Sequence, residues 1–109
     1  MLPYDICVAL KAKGFPQGHG NYWVGDSVWD ETAQSDYETP RTPPRDTWVY
    51  SPTLEELIEA CGESFIGLDR NDAGWTAHAI VGIDAPRFRY HHALSMSEAV
   101  ANLYLAITK

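Results

Sequence analysis

The side chains of this chain with the greatest capacity for chemistry are its histidines and cysteines. Imidazole and thiolate groups bind transition metals and act as bases or nucleophiles, often beside an aspartate. One hypothesis is therefore a small metal- or ligand-binding enzyme built from histidine, aspartate and cysteine. The sequence contains four histidines and two cysteines, spread along the chain: His19, His78, His91, His92, Cys7 and Cys61.

The spacing of these residues gives the enzyme hypothesis little support. No C-x-x-C or H-x-x-x-H pattern typical of metal sites is present. His91 and His92 are adjacent, so in a strand they point to opposite sides and cannot bind one metal there. Cys7 and Cys61 each fall on the apolar side of a predicted helix, where free cysteine is usually a small buried residue. We therefore predict no catalytic residue, no metal site and no cofactor.

Three segments have the apolar spacing of amphipathic helices. The second has two possible caps, Ser51 or Thr53, and in the latter case Glu56 would close a capping box. The third has the same motif at Ser95 and Glu98. The three helical segments are residues 3–13, 51–62 and 95–107.

Between the helices, short runs alternate apolar and polar residues as strands do. Because strands and helices are mixed and neighbouring strands are predicted to be antiparallel, we expect an α+β domain. Its architecture would be a single small antiparallel sheet of about four to five strands, with about three helices packed mainly on one face. At 109 residues the chain is expected to form one domain, residues 1–109. The strand runs are residues 21–24, 47–50, 64–69, 75–83 and 87–94.

Residues 26–46 differ from the rest of the chain. Six acids and two arginines give them a net charge of −4, and they include three prolines. We expect a flexible acidic loop, of a length that is either functional or disordered. Two interpretations of its tryptophan are open: Trp29 packs on the body as part of a hairpin, or the loop's aromatic residues are anchors for a partner. The candidate interaction surface is Trp29, Asp30, Glu31, Tyr37, Glu38 and Trp48.

The run RFRYHHAL, residues 87–94, is the basic patch of the sequence. Phe88, Tyr90 and His92 would lie on one side of a strand, and the arginines on the other. Aromatic residues beside basic ones are typical of sheets that bind single-stranded nucleic acid. An edge strand protected by charge is the alternative that we favour. The second candidate surface is Arg87, Arg89 and His91.

The composition limits the classes of function. A net charge of −7 disfavours direct binding to nucleic-acid phosphates, which requires lysine and arginine. No apolar run is long enough to predict a membrane span, and the N-terminal residues do not have the pattern of a signal peptide. We therefore expect a cytoplasmic protein whose partner is another protein. A homodimer built on the last helix or an exposed edge strand is a further possibility.

Two resemblances accompany these patterns. The succession SPTLEELIEACG, a strand containing Gly-Trp, and SMSEAVANLYLAI is similar to small uncharacterised proteins of phages and prophages. The hairpin followed by the capped SEAVANLYLAI helix resembles the end of HicB-type antitoxin domains. Both imply a role in the biology of mobile genetic elements. The expected function is a non-enzymatic, acidic interaction protein that binds a host or partner protein.

Overall fold

The computed structural model describes residues 2–18, 20–25, 27–30, 43–82 and 85–108. These residues form three α-helices and six strands, which confirms the predicted α+β class. The helices are α1 (Tyr4–Ala12), α2 (Leu54–Cys61) and α3 (Met96–Ile107). The strands are β1 (Asn21–Val24), β2 (Ser27–Asp30), β3 (Val49–Tyr50), β4 (Phe65–Asn71), β5 (Gly74–Val81) and β6 (Arg87–Ala93).

The chain divides into two compact units, Met1–Pro52 and Thr53–Lys109. Each unit has its own three-stranded antiparallel sheet, in the order β2-β1-β3 in the first and β4-β5-β6 in the second. The structure thus has two sheets where the sequence predicts one. An alternating pattern identifies a strand but does not show which strands are its neighbours. Whether both units form one domain stays a prediction.

In the first unit, β1 and β2 form the expected hairpin, with Asn21 opposite Asp30. The other neighbour of β1 is the short strand β3. Aromatic side chains dominate the core at this sheet, because the short strands offer few positions and each must bury a large area. The core cluster consists of Tyr22, Val24, Trp48 and Tyr50.

Helix α1 is held to the segment around β3 by polar contacts as well as by burial of Cys7 and Leu10. The Lys11 ammonium donates hydrogen bonds to the backbone carbonyls of Asp46 and Trp48, at 2.7 and 2.8 Å. These two bonds use two of the three donors that a lysine has. The role of Lys11 is thereby structural.

The second unit begins with α2, whose first turn has the predicted capping box at Thr53. The Thr53 hydroxyl accepts a hydrogen bond from the backbone N–H of Glu56, and the Glu56 carboxylate accepts one from the backbone N–H of Thr53. Gly62 follows the helix with φ +65°, a conformation that favours glycine. One of these two hydrogen bonds has a counterpart at α3, where the Ser95 hydroxyl accepts from the backbone N–H of Glu98. These local signals explain why both helix starts could be predicted from sequence.

The sheet of the second unit has β5 at its centre, and α3 packs against β5 and β6. Ala77 and Ala79 are fully buried on the helix side of β5. Their small side chains let α3, whose residues Ala99, Val100, Ala101 and Leu103 are fully buried, lie close to the strand. The opposite side of the sheet, called here the open face, includes β5 residues Thr76, His78 and Ile80 and the β6 residues opposite them.

Within the described residues, no helix is long and apolar enough to cross a membrane.

Candidate functional site

Two tryptophans of the first candidate surface belong to the packing of the first unit. Trp48 is only 2% exposed, and its indole N–H donates a hydrogen bond to the Pro43 carbonyl at 2.9 Å. Trp29 is partly buried and meets the Trp48 ring edge-on, with 5.6 Å between the ring centres. This arrangement matches the hairpin interpretation of Trp29. The ring of Trp48 is not available to a partner in this conformation.

The structure does not describe the side chains of the other four members of that surface. Glu31, Tyr37 and Glu38 lie outside the described residues, as does the side chain of Asp30. His19, one of the candidate ligands, also lies outside them. Residues 26–46 are predicted to form a flexible loop. Both ends of this segment contain regular structure, namely β2 (Ser27–Asp30) and the short 3-10 turn Arg45–Thr47.

The two cysteines are free and buried. Burial raises the pKa of the Cys61 thiol to about 11. Burial also raises the pKa of Cys7, and hydrogen bonds with Ser51 and Trp23 oppose part of that rise. Because only the thiolate is strongly nucleophilic, neither cysteine has the electrostatic setting of a catalytic residue.

Two histidines of the open face have polar partners. His78 Nε2 lies 2.9 Å from Asp69 Oδ2 of the neighbouring strand. His92 Nε2 lies 3.3 Å from the carbonyl of Ala73, and its Nδ1 lies 3.2 Å from the Thr76 hydroxyl. The hydrogen bond to the Ala73 carbonyl forms in the tautomer whose Nε2 is the donor, since a carbonyl can only accept. The His78 contact joins β5 to β4, and the His92 contacts join β6 to β5 and to the turn before it. Both histidines therefore have a structural role in the sheet.

No group of three metal-ligating side chains occurs in the part of the chain that the structure describes. His91 and His92 do alternate across the sheet, opposite Ala77 and Thr76 of β5 respectively. His91 therefore shares a side of the strand with the two arginines, as the sequence pattern predicted, and the structure shows that this is the helix side.

The feature of the second unit that stands out is the exposure of aromatic rings on β6. Phe88 is 76% exposed and Tyr90 is 68% exposed, on the open face beside Ile80. Leu94, just after the strand, is 83% exposed. Exposed aromatic rings that lie together on one face of a sheet are candidates for an interaction site. Sequence alternation could place these rings on one side of a strand, but could not say which side α3 covers.

The helix side of β6 has a different chemistry. Arg87 and Arg89 are exposed there, opposite Val81 and Ala79 of β5. Between β6 and the end of α3 lies a groove of about 330 Å³. Its lining residues include Arg87 and Arg89 and the apolar residues Val81, Ala85, Ala106 and Ile107. A groove with cationic and apolar walls can hold a carboxylate that has a short apolar stem.

Strand β6 is also an edge of its sheet, since within the described residues it pairs only with β5. Its seven residues pair with β5 without a register shift. The other edge strand, β4, has a shift between Phe65 and Gly67. Such irregularities hinder the addition of a further strand, whereas a regular edge presents unpaired N–H and C=O groups in a row.

We call this combination the β6 surface: the edge of Arg87–Ala93, the rings of Phe88 and Tyr90 on the open face, and Arg87 and Arg89 on the helix side. Another groove, of about 340 Å³, lies in the first unit beside Lys11, Gln17 and Trp48. Gln17 accepts a hydrogen bond there from the N–H of Tyr50, at 2.9 Å. Because Lys11 and Gln17 both bind the backbone of their own unit, this groove is explained by packing. The β6 surface is the better candidate.

Comparison with known proteins identifies no relative of this chain. No family model matches the sequence, and neither the curated proteins nor the solved structures contain a match. The resemblances to phage proteins and to HicB-type antitoxin domains therefore stay predictions, and the case for a function depends on the chain's own residues.

Proposed function

We propose that this chain is a non-enzymatic protein-interaction module that binds its partner through the β6 surface. The observation that supports the proposal is the pair of exposed rings, Phe88 and Tyr90, next to two exposed arginines on a regular edge strand. Aromatic residues and arginine are the types most enriched in the energetic centres of protein interfaces. If the chain is of phage type, as its resemblance implies, the partner is a host protein.

The arrangement of charge adds support for a protein partner. The chain has a net charge of −7, which opposes a polyanion at long range. On the open face itself, Asp69 lies on the strand β4 and is paired with His78. Both arginines are on the helix side, away from Phe88 and Tyr90. A nucleic acid whose bases stacked on the two rings would therefore not find its phosphates facing these arginines.

Position-specific photo-crosslinking tests the proposal. A photoreactive phenylalanine analogue replaces Phe88 in one variant and the exposed α2 residue Glu59 in a control variant. Both variants are expressed in cells of the source organism and irradiated. We expect a defined covalent adduct from position 88 that position 59 does not give. Equal adduct patterns from the two positions, or no adduct from either in folded protein, would refute the proposal.

The hypothesis of a small metal- or ligand-binding enzyme can be tested directly. Protein purified without a chelator or a histidine tag is analysed for metal content. Stoichiometric zinc would favour that hypothesis over the interaction module. We rank it second because the two cysteines are buried and the polar contacts of His78 and His92 connect elements of their own sheet.

A further inference from the structure

We propose that the partner is an extended acidic segment that joins the sheet as an additional strand beside β6, with acidic residues alternating with apolar ones. This inference rests on the proposed function and specifies the chemistry of the partner. Three features of the β6 surface support it: the free edge, the alternation of residue types along it, and the groove beside the arginines.

The free edge determines the backbone geometry of the partner. Strand β6 spans seven residues and is regular along its length. Every second residue of an edge strand directs its N–H and C=O groups outward, so an added strand is bound by a ladder of backbone hydrogen bonds. A regular edge of this length is sufficient for a peptide of about seven residues.

The alternation of side chains determines the sequence pattern of the partner. Along β6, Arg87 and Arg89 lie on the helix side while Phe88 and Tyr90 lie on the open face. In an added strand, residues that face the arginines would be acidic, because directly opposed opposite charges stabilise a pair of strands. The intervening residues would be apolar or aromatic, since they lie beside the two exposed rings.

The groove gives the acidic side chains a place to bind. It is lined by residues that include Arg87, Arg89, Val81, Ala85, Ala106 and Ile107. The apolar lining can contact the methylene groups of a glutamate while the guanidinium binds its carboxylate. The groove therefore favours glutamate over a bare anion.

The same arginines disfavour a second copy of this chain as the occupant. If β6 paired with its symmetry mate about a twofold axis at Phe88 or Arg89, Arg89 would lie opposite Arg87 or Arg89 of the other copy. Like charges directly opposite each other destabilise a strand pair. Charged residues on an edge strand are a common means of preventing such self-association. An acidic strand would instead place opposite charges beside the two arginines, a local attraction that acts against the long-range effect of the net charge of −7.

A labelled synthetic peptide tests the inference on the full chain. The peptide has about nine residues, with glutamate alternating with valine, an acetylated N-terminus and an amidated C-terminus. One control has the same composition with all glutamates at one end, and another has lysine in place of glutamate. Fluorescence anisotropy measures binding at low and high salt. We expect the alternating acidic peptide to bind at least roughly tenfold more tightly than either control, and less tightly as salt rises.

Charge reversal in the protein tests the role of the arginines. In the double variant R87E/R89E we expect affinity for the glutamate peptide to fall at least roughly tenfold and the lysine peptide to bind instead. Arg70→Gln is the matched control, because Arg70 is an exposed arginine of β4 that lies over the Trp75 ring. Its binding should equal that of the wild-type chain. Circular dichroism verifies folding, and the single variant Arg89→Gln replaces the double one if the latter is unfolded.

Methylation of alternate backbone amides in the peptide tests strand addition itself. Methyl groups on the amides that face β6 remove the hydrogen-bond ladder, whereas methyl groups on the other alternate set do not. We expect one methylated series to lose binding and the other to keep it. Equal binding of both series would overturn strand addition and leave the β6 surface as a binding site.

The remaining outcomes separate this inference from the proposed function. If none of the peptides binds but crosslinking at position 88 still gives its adduct, the inference is wrong and the proposed function stands. If neither gives a signal, both are wrong. Binding of an oligothymidylate in place of the peptide, lost on Phe88→Ser, would overturn the choice of a protein partner. A dimer in sedimentation that R87E/R89E disrupts would identify a second copy as the occupant.

Discussion

At the scale of single residues, aromatic side chains have different roles in the two units. Trp48 is buried and hydrogen-bonded, and it stabilises the first unit. Phe88, which is aromatic as well, is left exposed on the second. Burying an aromatic ring stabilises a fold by roughly 2 kcal/mol or more, so an exposed ring forgoes that gain. The exposure of Phe88 and Tyr90 is for this reason the residue-level sign of an interaction site.

A substitution at Trp48 measures its contribution to stability. Trp48→Phe keeps an aromatic ring but leaves the Pro43 carbonyl without the indole donor and reduces the contact with Trp29. We expect the free energy of unfolding to fall by about 1–3 kcal/mol. Urea unfolding followed by circular dichroism measures the change. Phe88→Ser is the comparison, and because that ring is exposed, its effect on stability should be within about 0.5 kcal/mol.

The thiol of Cys61 makes a prediction about alkaline pH. Its pKa is about 11 in the folded chain against an ordinary value of 9.0. Between these two values the folded state holds the proton more tightly than the unfolded state, so stability falls as pH rises from about 9 to about 11. Tyrosine and lysine titrate in the same range, so the comparison must be made with Cys61→Ala. We expect a shallower alkaline decline in that variant, measured as unfolding free energy against pH, and equal slopes would contradict the buried thiol.

At the scale of elements, β5 and β6 are joined closely at the end where β5 begins. Gly74 has φ +140°, and a Cβ at this position would lie 2.4 Å from the backbone carbonyl oxygen of Ala93. The carbonyl belongs to the last residue of β6, so it cannot move without disturbing the strand pair. The glycine is therefore required both by its backbone conformation and by the close approach of β6.

Replacing that glycine tests whether β6 depends on β5 at this end. Gly74→Ala is expected to destabilise the second unit by roughly 2 kcal/mol or more, through strain and the loss of strand pairing. Amide hydrogen exchange should be faster in the residues of β6 near Ala93. Gly67→Ala is the matched control, since a Cβ there meets no atom within 4 Å. A tolerated alanine at position 74 would contradict the close packing.

At the scale of the whole chain, the open point is whether the two compact units unfold together. The sequence predicts one domain, and a chain of this length usually unfolds in a single cooperative transition. We expect coincident thermal transitions for amide signals of residues in Met1–Pro52 and in Thr53–Lys109, followed by nuclear magnetic resonance. Two separate midpoints would show that each unit folds by itself.

The sequence by itself determined the features that depend on neighbouring residues. The capping boxes at Thr53 and Ser95 and the alternation along residues 87–93 are local patterns, and α2, α3 and β6 agree with the segments they indicated. The α+β class follows from the order of such elements.

Only the tertiary structure decided which faces are covered and which strands are neighbours. The tryptophan content of residues 26–50 favoured that segment as the leading candidate surface, yet Trp48 is buried in the first unit. Phe88 and Tyr90 remain exposed because α3 packs on the opposite side of the sheet, against Ala77 and Ala79. Burial depends on contacts between residues distant in sequence, and periodicity carries no information about them. For that reason the sequence indicated Arg87 and Arg89 as candidates and their alternation with Phe88 and Tyr90, but the exposure of the two rings, the edge and the groove depend on the fold.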